Sequence, residues 1–264
     1  MIVVIGGTTG LGLSAAEAFI KAGAQVVVVG RKPDSLKTAL HHLGDQADGV
    51  SGDASDPDTA PQAVEVALQQ FGAFDGLYHV AGGSGRKFGD GPIHELSDEG
   101  IVQTLDLNLK SVLYSNRAAL QQFLKQDSGG AILNMASVLG YSPSPKFFAT
   151  HVYAAAKAAI IGVTKAAASY YAPKNVRLNV IAPALVDTPM AQRAVANDEI
   201  TRYIKSKQPL DGGRVGVPED LDSAAVWLMS DGARFVTGQV LAVDGGWGVC
   251  EGQYDPCCGI AGNK

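Results

Sequence analysis

Short apolar runs alternate with longer helical segments along almost the whole chain, and this alternation constrains the fold more than any other feature. The predicted strands lie at residues 2–5, 25–29, 50–53, 77–81, 131–136, 176–181 and 240–243. Strands that alternate with helices at this spacing form a parallel sheet with helices on both of its faces. The sequence therefore predicts one α/β domain with a doubly wound parallel sheet of about seven strands.

The bulk composition excludes several classes of protein. The 264 residues are 46% apolar with a net charge of −5, which predicts a large core and argues against a nucleic-acid binder. No stretch approaches the roughly 20 apolar residues of a membrane span, and the start of the chain lacks the basic region of a signal peptide. The three cysteines fall in the last 15 residues, without the spacing of a zinc site. We therefore expect a cytoplasmic protein without metal or membrane.

A glycine-rich turn separates the first strand from the first helix. Gly6, Gly10 and Gly12 follow the strand with a spacing that differs from the better-known Gly-x-Gly-x-x-Gly fingerprint. Glycines at this position let backbone N–H groups approach a phosphate, and the helix N-terminus adds favourable charge. A tight turn that binds nothing is the alternative, but the position between strand and helix favours a dinucleotide site.

The end of the second strand carries information about the cofactor. In a dinucleotide fold this point meets the adenosine ribose, where an acidic side chain accepts from the 2′-hydroxyl. Here Gly30 is followed by Arg31 and Lys32, and an arginine pairs well with a 2′-phosphate. This favours NADP(H) over NAD(H), although a solvated Arg31 and NAD(H) binding stay open. Asp53, at the end of the third strand, is a candidate ligand of the adenine amino group or a turn cap.

Tyr153 and Lys157 stand four residues apart in an alanine-rich helical segment, so they share one helix face. A protonated lysine near a phenol favours the phenolate, so we expect Lys157 to lower the tyrosine pKa. Such a tyrosine suits general acid/base chemistry on an alcohol or a carbonyl. The spacing alone is common, and its weight comes from the motifs around it.

Other landmarks follow in a fixed order. Ser137 follows the fifth strand, Asn108 lies within a long predicted helix over residues 96–123, and Thr188 follows the break at Pro183-Ala184. With the glycine turn and the Tyr-x-x-x-Lys pair, this ordered set resembles the short-chain dehydrogenase/reductase family of ordinary length. The resemblance implies a Rossmann-like fold and an oxidoreductase that interconverts a carbonyl and a secondary alcohol by hydride transfer with NAD(P).

The resemblance also implies roles for individual residues. The implied catalytic residues are Asn108, Ser137, Tyr153 and Lys157. The implied cofactor-binding residues are Gly6, Thr8, Thr9, Gly10, Leu11, Gly12, Arg31, Lys32, Asp53, Ala54, Ala81, Gly82, Gly83, Tyr153, Lys157, Pro183, Ala184, Val186 and Thr188. Candidate substrate residues are Ser84, Ser137, Phe147, Phe148, Tyr153 and Met190.

The implied organisation is one domain over residues 1–247, with a substrate lid at about 187–216 and a tail at 248–264. The tail contains Cys257 and Cys258 and lies outside the resemblance. The family implies a homotetramer or a dimer and a small-molecule substrate. Two rival functions stay open: an NAD-dependent alcohol dehydrogenase of the same fold, and a cofactor-binding regulator that has lost its chemistry.

Four departures from the family pattern bear on the site. Ile5 replaces a threonine, and Ala184 replaces a glycine. His79 replaces an asparagine, which puts a structural side-chain contact in doubt. The interval from Ser142 to His151 is long and would add a substrate wall, unless its aromatic residues only pack within the loop. In the loop after the fourth strand, solvated cations at residues 86–87 are favoured over contacts with an acidic substrate.

Overall fold

Seven parallel strands form one sheet in the computed structural model, which describes residues 1–252. The strands are β1 Ile2–Ile5, β2 Val26–Gly30, β3 Ala47–Ser51, β4 Gly76–His79, β5 Gly130–Met135, β6 Val176–Pro183 and β7 Val240–Val243. Their order across the sheet is β3-β2-β1-β4-β5-β6-β7, and every neighbouring pair is parallel. The predicted doubly wound sheet is therefore confirmed.

Helices cover both faces of this sheet. They are α1 Gly10–Lys21, α2 Pro33–Leu43, α3 Thr59–Phe71, α4 Asp98–Leu105, α5 Ser111–Gln126, α6 His151–Tyr171, α7 Gln192–Val195, α8 Asp198–Lys207 and α9 Asp222–Met229. Side chains alternate between the faces of a strand, so Val3 and Ile5 join the core beside α3 and α5. Ile2 and Val4 join the core beside α1 and α9. The departure at Ile5 therefore supplies a core side chain.

The order of the strands reverses beside β1. This strand pairs with β2 on one side and with β4 on the other. From β1 the chain runs outward through β2 to β3 at one edge, and it then crosses back to form β4 on the other side of β1. In doubly wound sheets the crevice at such a switch point, beyond the carboxyl ends of the strands, holds the ligand. The glycine turn and the loop after β4 both lie at this edge.

The long helix predicted over residues 96–123 is interrupted. A π-helical segment, Asp106–Lys110, separates α4 from α5. Asn108 lies in this segment with its side chain fully buried, and its amide donates to the carbonyl of Thr104 at 2.9 Å. An amide that competes for main-chain carbonyls weakens a regular helix, and π-bulges are frequent at functional sites. The prediction of one continuous helix is therefore wrong, because the helix is interrupted at Asn108.

Other boundaries differ by a few residues from the sequence-based ones. β3 ends at Ser51, so Asp53 lies in the turn that follows. There the Asp53 carboxylate accepts from the backbone N–H and the hydroxyl of Ser55, at 2.9 and 2.7 Å. Cys257 and Cys258 of the tail lie outside the described residues. Within residues 1–252, no helix combines the length and the apolar character needed to cross a bilayer.

His79 joins β4 to α5 in the core. The ring is fully buried, with Nδ1 2.7 Å from the Ser115 hydroxyl and Nε2 3.0 Å from the carbonyl oxygen of Ala81. A carbonyl only accepts, so Nε2 carries the hydrogen in that bond. Burial, and then the charge of Lys157, lower the pKa of His79 to about 3. The histidine therefore supplies the side-chain contact that its replacement of asparagine had put in doubt.

Acid should destabilise the protein through His79. Its pKa is lower in the folded state than in the unfolded chain, so the unfolded chain binds the proton first and stability falls as the pH drops from 6.5 toward 3. Between pH 7 and pH 5 the expected loss is about 2 kcal/mol. Urea unfolding at both pH values should show this loss in the wild type and in the exposed control His94→Asn, but a smaller one in His79→Asn. Equal losses in all three proteins would contradict it.

Candidate active site

The turn between β1 and α1 forms a cradle of bare backbone. A Cβ on Gly12 would lie 2.1 Å from the carbonyl oxygen of Gly6, so the helix can start this close to the strand only with glycine. Thr9 is the residue before the helix, and its side chain makes no capping hydrogen bond. The first N–H groups of a helix have no partner within the helix. The cradle therefore fits the diphosphate of a dinucleotide.

The end of β2 leaves no room for an acidic side chain. A Cβ on Gly30 would lie 2.3 Å from the hydroxyl oxygen of Thr8. Arg31 follows with its guanidinium 3.8 Å from the carboxylate of Asp53, in an ion pair that is largely exposed. Burial raises the pKa of Asp53, but the hydrogen bonds from Ser55 and the charge of Arg31 together outweigh it. The pKa of Asp53 is therefore lowered from its usual value. The predicted ribose end of the crevice thus carries the cation Arg31, and the end of β2 has no space for an acidic side chain at Gly30.

A cavity of about 500 Å³ opens beyond the carboxyl ends of β4, β5 and β6. It brings together predicted site residues from seven separate segments of the chain. Those that line it are Leu11, Arg31, Gly82, Gly83, Ser84, Ser137, Phe148, Tyr153, Lys157, Pro183, Ala184, Val186, Thr188 and Met190. The cavity therefore joins the predicted cofactor crevice to the predicted substrate side.

Some predicted residues lie outside the lining of this cavity. Gly6, Thr8, Thr9, Gly10 and Gly12 form the cradle itself. Lys32 and Asp53 lie near the ribose end, with Ala54 and Ala81 packed against the core. Asn108 and Phe147 lie behind the lining, and their contacts are described below.

Three of the four predicted catalytic residues, Ser137, Tyr153 and Lys157, line this cavity, and Asn108 does not. The Ser137 hydroxyl accepts from the N–H of Leu139 at 3.2 Å and lies 3.5 Å from the carbonyl oxygen of Pro183. Lys157 donates to the carbonyl of Met135 at 2.9 Å, and its Nζ lies 5.4 Å from the centre of the Tyr153 ring. The end of β5 thus fixes both the serine and the lysine beside the phenol.

The expected lowering of the tyrosine pKa by lysine is wrong for this structure. Burial raises the pKa of Tyr153 to about 12, and the Ser137 hydroxyl opposes that rise. Burial also lowers the pKa of Lys157 to about 8. The lysine is aimed at the Met135 carbonyl rather than at the phenol oxygen. At neutral pH the site therefore holds a protonated phenol next to a mostly protonated amine.

Asn108 fastens the loop after β4. Its side-chain oxygen accepts from the N–H of Gly83 at 3.1 Å, and its side-chain nitrogen donates to the carbonyl of the same glycine at 3.0 Å. With the bond to Thr104, both ends of the amide are satisfied within the protein. The side chain therefore acts on the backbone at the switch point, which lines the cavity next to Lys157.

Asp90 holds the start of α6, the helix that carries Tyr153 and Lys157, a role that sequence reasoning missed. Its buried carboxylate accepts from the N–H groups of Val152 and Tyr153, at 3.0 and 2.9 Å. These N–H groups belong to the first turn of α6, where Thr150 makes no side-chain cap. A carboxylate at a helix N-terminus is favoured by the dipole and by charge-assisted hydrogen bonds. No local pattern marks this contact, because the partners lie more than 60 residues apart.

Aromatic side chains close the substrate end of the cavity. Trp247 is almost fully buried and donates from its indole nitrogen to the carbonyl of Ser142 at 3.1 Å. Its ring makes edge contacts with Phe148 and Tyr203. Phe147 does not line the cavity, and its ring packs against Tyr203 at a tilt of 46°, with the ring centres 5.1 Å apart. The long loop after β5 thus contributes one aromatic to the wall and one to its support, and Trp247 is a wall residue that sequence reasoning did not identify.

The predicted lid is tied down at both ends. Val186 pairs with Gly216 in an isolated parallel bridge, and Arg214 donates to both carboxylate oxygens of Asp220 at 2.6 and 2.8 Å. Further along, the buried amide of Gln208 both accepts from and donates to the backbone of Leu185, at 2.9 and 3.2 Å. Helices α7 and α8 lie between these anchors along the chain, and Arg193 and Ala194 of α7 line the cavity.

The comparisons with known proteins agree with one another. A family model described as Enoyl-(Acyl carrier protein) reductase matches residues 6–248. The chain is 33% identical to 3β-hydroxysteroid dehydrogenase 2 of Eggerthella lenta, with 93% of each chain covered. It also resembles the solved structure of a short-chain type dehydrogenase/reductase from Mycobacterium ulcerans, at 31% identity and a TM-score of 0.85, covering 93% of this chain and 88% of that one. The chain belongs to the short-chain dehydrogenase/reductase family.

Solved members of this family contain nicotinamide cofactors. A 3-ketoacyl-(acyl-carrier-protein) reductase from Brucella melitensis, complexed with NADH, is 28% identical with a TM-score of 0.82, covering 94% of this chain and 98% of that one. The structure of ElxO with NADP bound is 25% identical with a TM-score of 0.81, and the match covers 93% of this chain and 97% of that one. This short-chain dehydrogenase/reductase is thus an oxidoreductase that acts on CH–OH and C=O groups with a nicotinamide cofactor.

Removal of the Asp90 carboxylate should misplace the active site of this enzyme. Asp90→Ala leaves two first-turn N–H groups of α6 without their acceptor, so we expect a stability loss of about 1–3 kcal/mol and a lower kcat. Asp90→Asn keeps one acceptor oxygen, so its losses of stability and of kcat should both be smaller than those of Asp90→Ala. Urea unfolding and steady-state kinetics measure the effects, with the exposed Asp45→Ala as the control. Wild-type stability and kcat in Asp90→Ala would contradict the assigned role.

Proposed function

We propose that this protein is an NADP(H)-dependent oxidoreductase in which Tyr153 is the general acid/base for a carbonyl and secondary alcohol pair. The observation that carries the proposal is the convergence of Tyr153, Ser137 and Lys157 on one wall of a cavity that also reaches the dinucleotide cradle. A regulator without chemistry would not need an intact triad beside an apolar substrate chamber.

Each residue has a distinct part in the proposed mechanism. In the direction of reduction, Tyr153 gives its proton to the carbonyl oxygen of the substrate, and a pKa raised to about 12 keeps that proton on the phenol at neutral pH. Ser137 donates to the same oxygen and orients it. Lys157 holds positive charge beside the phenol and is placed to bind the nicotinamide ribose. When bound, the nicotinamide supplies or accepts the hydride. Asn108 keeps the loop at Gly83 in place through its two hydrogen bonds.

The preference for NADP(H) rests on the ribose end of the crevice. Gly30 has no side chain to accept from a 2′-hydroxyl, and Thr8 occupies the space where one would start. Arg31 offers a planar guanidinium next to that position, a good match for a 2′-phosphate. The ion pair with Asp53 is exposed and is therefore weak enough to be exchanged for a phosphate.

We further propose the larger organisation implied by the family. The residues at about 187–216 form the substrate lid on the domain of residues 1–247. A homo-oligomer, tetramer or dimer, is supported by apolar side chains that stand exposed on α5 and α6, among them Leu113, Leu124 and Tyr170. A cytoplasmic location would supply the reduced cofactor, which favours reduction of a small-molecule carbonyl.

Loss of the phenol should abolish turnover without loss of cofactor binding. Tyr153→Phe removes only the hydroxyl, so kcat/KM for a responsive carbonyl should fall by about 10²–10⁴-fold. Fluorescence titration should give an NADPH affinity within about twofold of the wild type. Tyr170→Phe on the same helix, where the side chain is exposed, is the matched control and should keep its activity. Near-wild-type turnover by Tyr153→Phe would disprove the assignment.

Loss of Arg31 should weaken NADPH binding selectively. Arg31→Ala is expected to raise the Kd for NADPH by about 10-fold, equivalent to about 1.4 kcal/mol, with little change for NADH. Titrations at matched salt, with the exposed Lys37→Ala as the control, provide the measurement. If wild-type protein binds NADH as well as NADPH, or if Arg31→Ala weakens both equally, the alternative of an NAD-dependent alcohol dehydrogenase is favoured.

A further inference from the structure

The mouth of the active-site cavity is lined by cations. Arg86, Lys87 and Arg193 line it on the substrate side, in addition to Arg31 at the ribose end and Lys157 at the reacting centre. No aspartate or glutamate is among the lining residues of the described chain. The protein as a whole carries a net charge of −5, so the excess of positive charge is local to this cavity.

Two of these cations converge on one point from distant parts of the chain. Arg86 lies in the turn after β4, and Arg193 lies in α7 of the lid. Both donate to the carbonyl oxygen of Phe147, at 3.2 and 3.5 Å. A guanidinium has five N–H donors, so most donors of the pair are left for another acceptor. The pair is thus a fork built from three segments at the edge of the substrate chamber.

The charge of the fork is not neutralised within the described residues. None of the ion pairs among residues 1–252 involves Arg86 or Arg193. Asp90 is the acidic side chain that acts on Arg86, but its oxygens already accept from the first turn of α6. Partial burial and the nearby charge of Arg193 lower the pKa of Arg86. An anion between the two arginines would turn this repulsion into attraction.

Apart from Ser84, Thr150 and the groups at the reacting centre, the substrate chamber is apolar. Its walls on this side are formed by Val138, Leu139, Phe148, Leu185, Ala194 and Trp247. A ligand that fits must therefore present one anionic group to the mouth and an uncharged body to the chamber. Planar guanidinium groups match a carboxylate through paired N–H bonds.

We propose that the substrate is a carboxylic acid whose carboxylate binds Arg86 and Arg193, while an apolar body presents its oxo or hydroxy group to Tyr153. This inference rests on the proposed function for the reacting end only. Arg193 belongs to the lid, so contact with the carboxylate would also draw α7 toward the turn that carries Arg86. The proposal gives Arg86, which the sequence favours as a solvated loop residue, a role in substrate specificity.

Binding of a non-reactive acid tests the fork without turnover. The probe is cyclohexanecarboxylate, with cyclohexanecarboxamide as its uncharged counterpart, titrated into the full-length protein with saturating cofactor by calorimetry. We expect the acid to bind at least about 10-fold more tightly than the amide at low salt, with a difference that shrinks as salt is added. Arg86→Gln with Arg193→Gln should remove the difference, and Arg202→Gln in the same lid should keep it.

Kinetics then connects the fork to the chemistry. For 4-oxocyclohexanecarboxylate and its methyl ester, the double variant should raise KM at least about 10-fold for the acid and leave the ester within about twofold. Arg193→Lys keeps the charge without the planar fork and should be intermediate. Equal binding of acid and amide by the wild type, or an unchanged preference in the double variant, would overturn the inference. Selective binding of the acid without turnover would count against the proposed chemistry and leave the carboxylate site standing.

Discussion

The two-sided pairing of β1 is the constraint on which the rest of the structure depends. All four residues of this strand are buried, and parallel ladders join it to β2 and β4. Since every strand of the sheet is parallel, all carboxyl ends meet at one edge. The turn at Gly6–Gly12, the loop at Gly83 and the end of β5 at Ser137 are therefore neighbours in space. The position of the active site follows from this topology before any side chain is considered.

Burial at this edge sets the protonation of the reacting groups. The same desolvation that raises the pKa of Tyr153 lowers that of Lys157, because both charged forms lose water. The enzyme thus keeps its phenol protonated and its amine close to the titrating range. The positive charges of Arg86, Lys87 and Arg193 at the mouth are more exposed than Lys157. Positive charge is concentrated at the mouth of the cavity, in a protein that is acidic overall, and such an arrangement attracts anions.

Long-range polar contacts give this site its precision. Asp90 fixes the first turn of the helix that carries Tyr153, Asn108 fixes the loop at the switch point, and Gln208 joins the lid to Leu185. In each case a buried side chain satisfies backbone groups of a distant segment, since an unpaired backbone group in the interior is costly. Loss of one such contact would shift an entire element and not a single atom.

The sequence by itself determined the α/β class, the strand positions within a few residues, the glycine turn and the Tyr153–Lys157 pair. These features depend on period, composition and short spacings, which are local. Only the tertiary structure decided the break in the helix at Asn108, the cap from Asp90, the wall formed by Trp247 and the meeting of Arg86 with Arg193. Those contacts join segments far apart in the chain, and the burial that raises the pKa of Tyr153 also depends on the tertiary structure. Local sequence patterns do not indicate which distant segment supplies a hydrogen-bond partner or which one buries a side chain away from water.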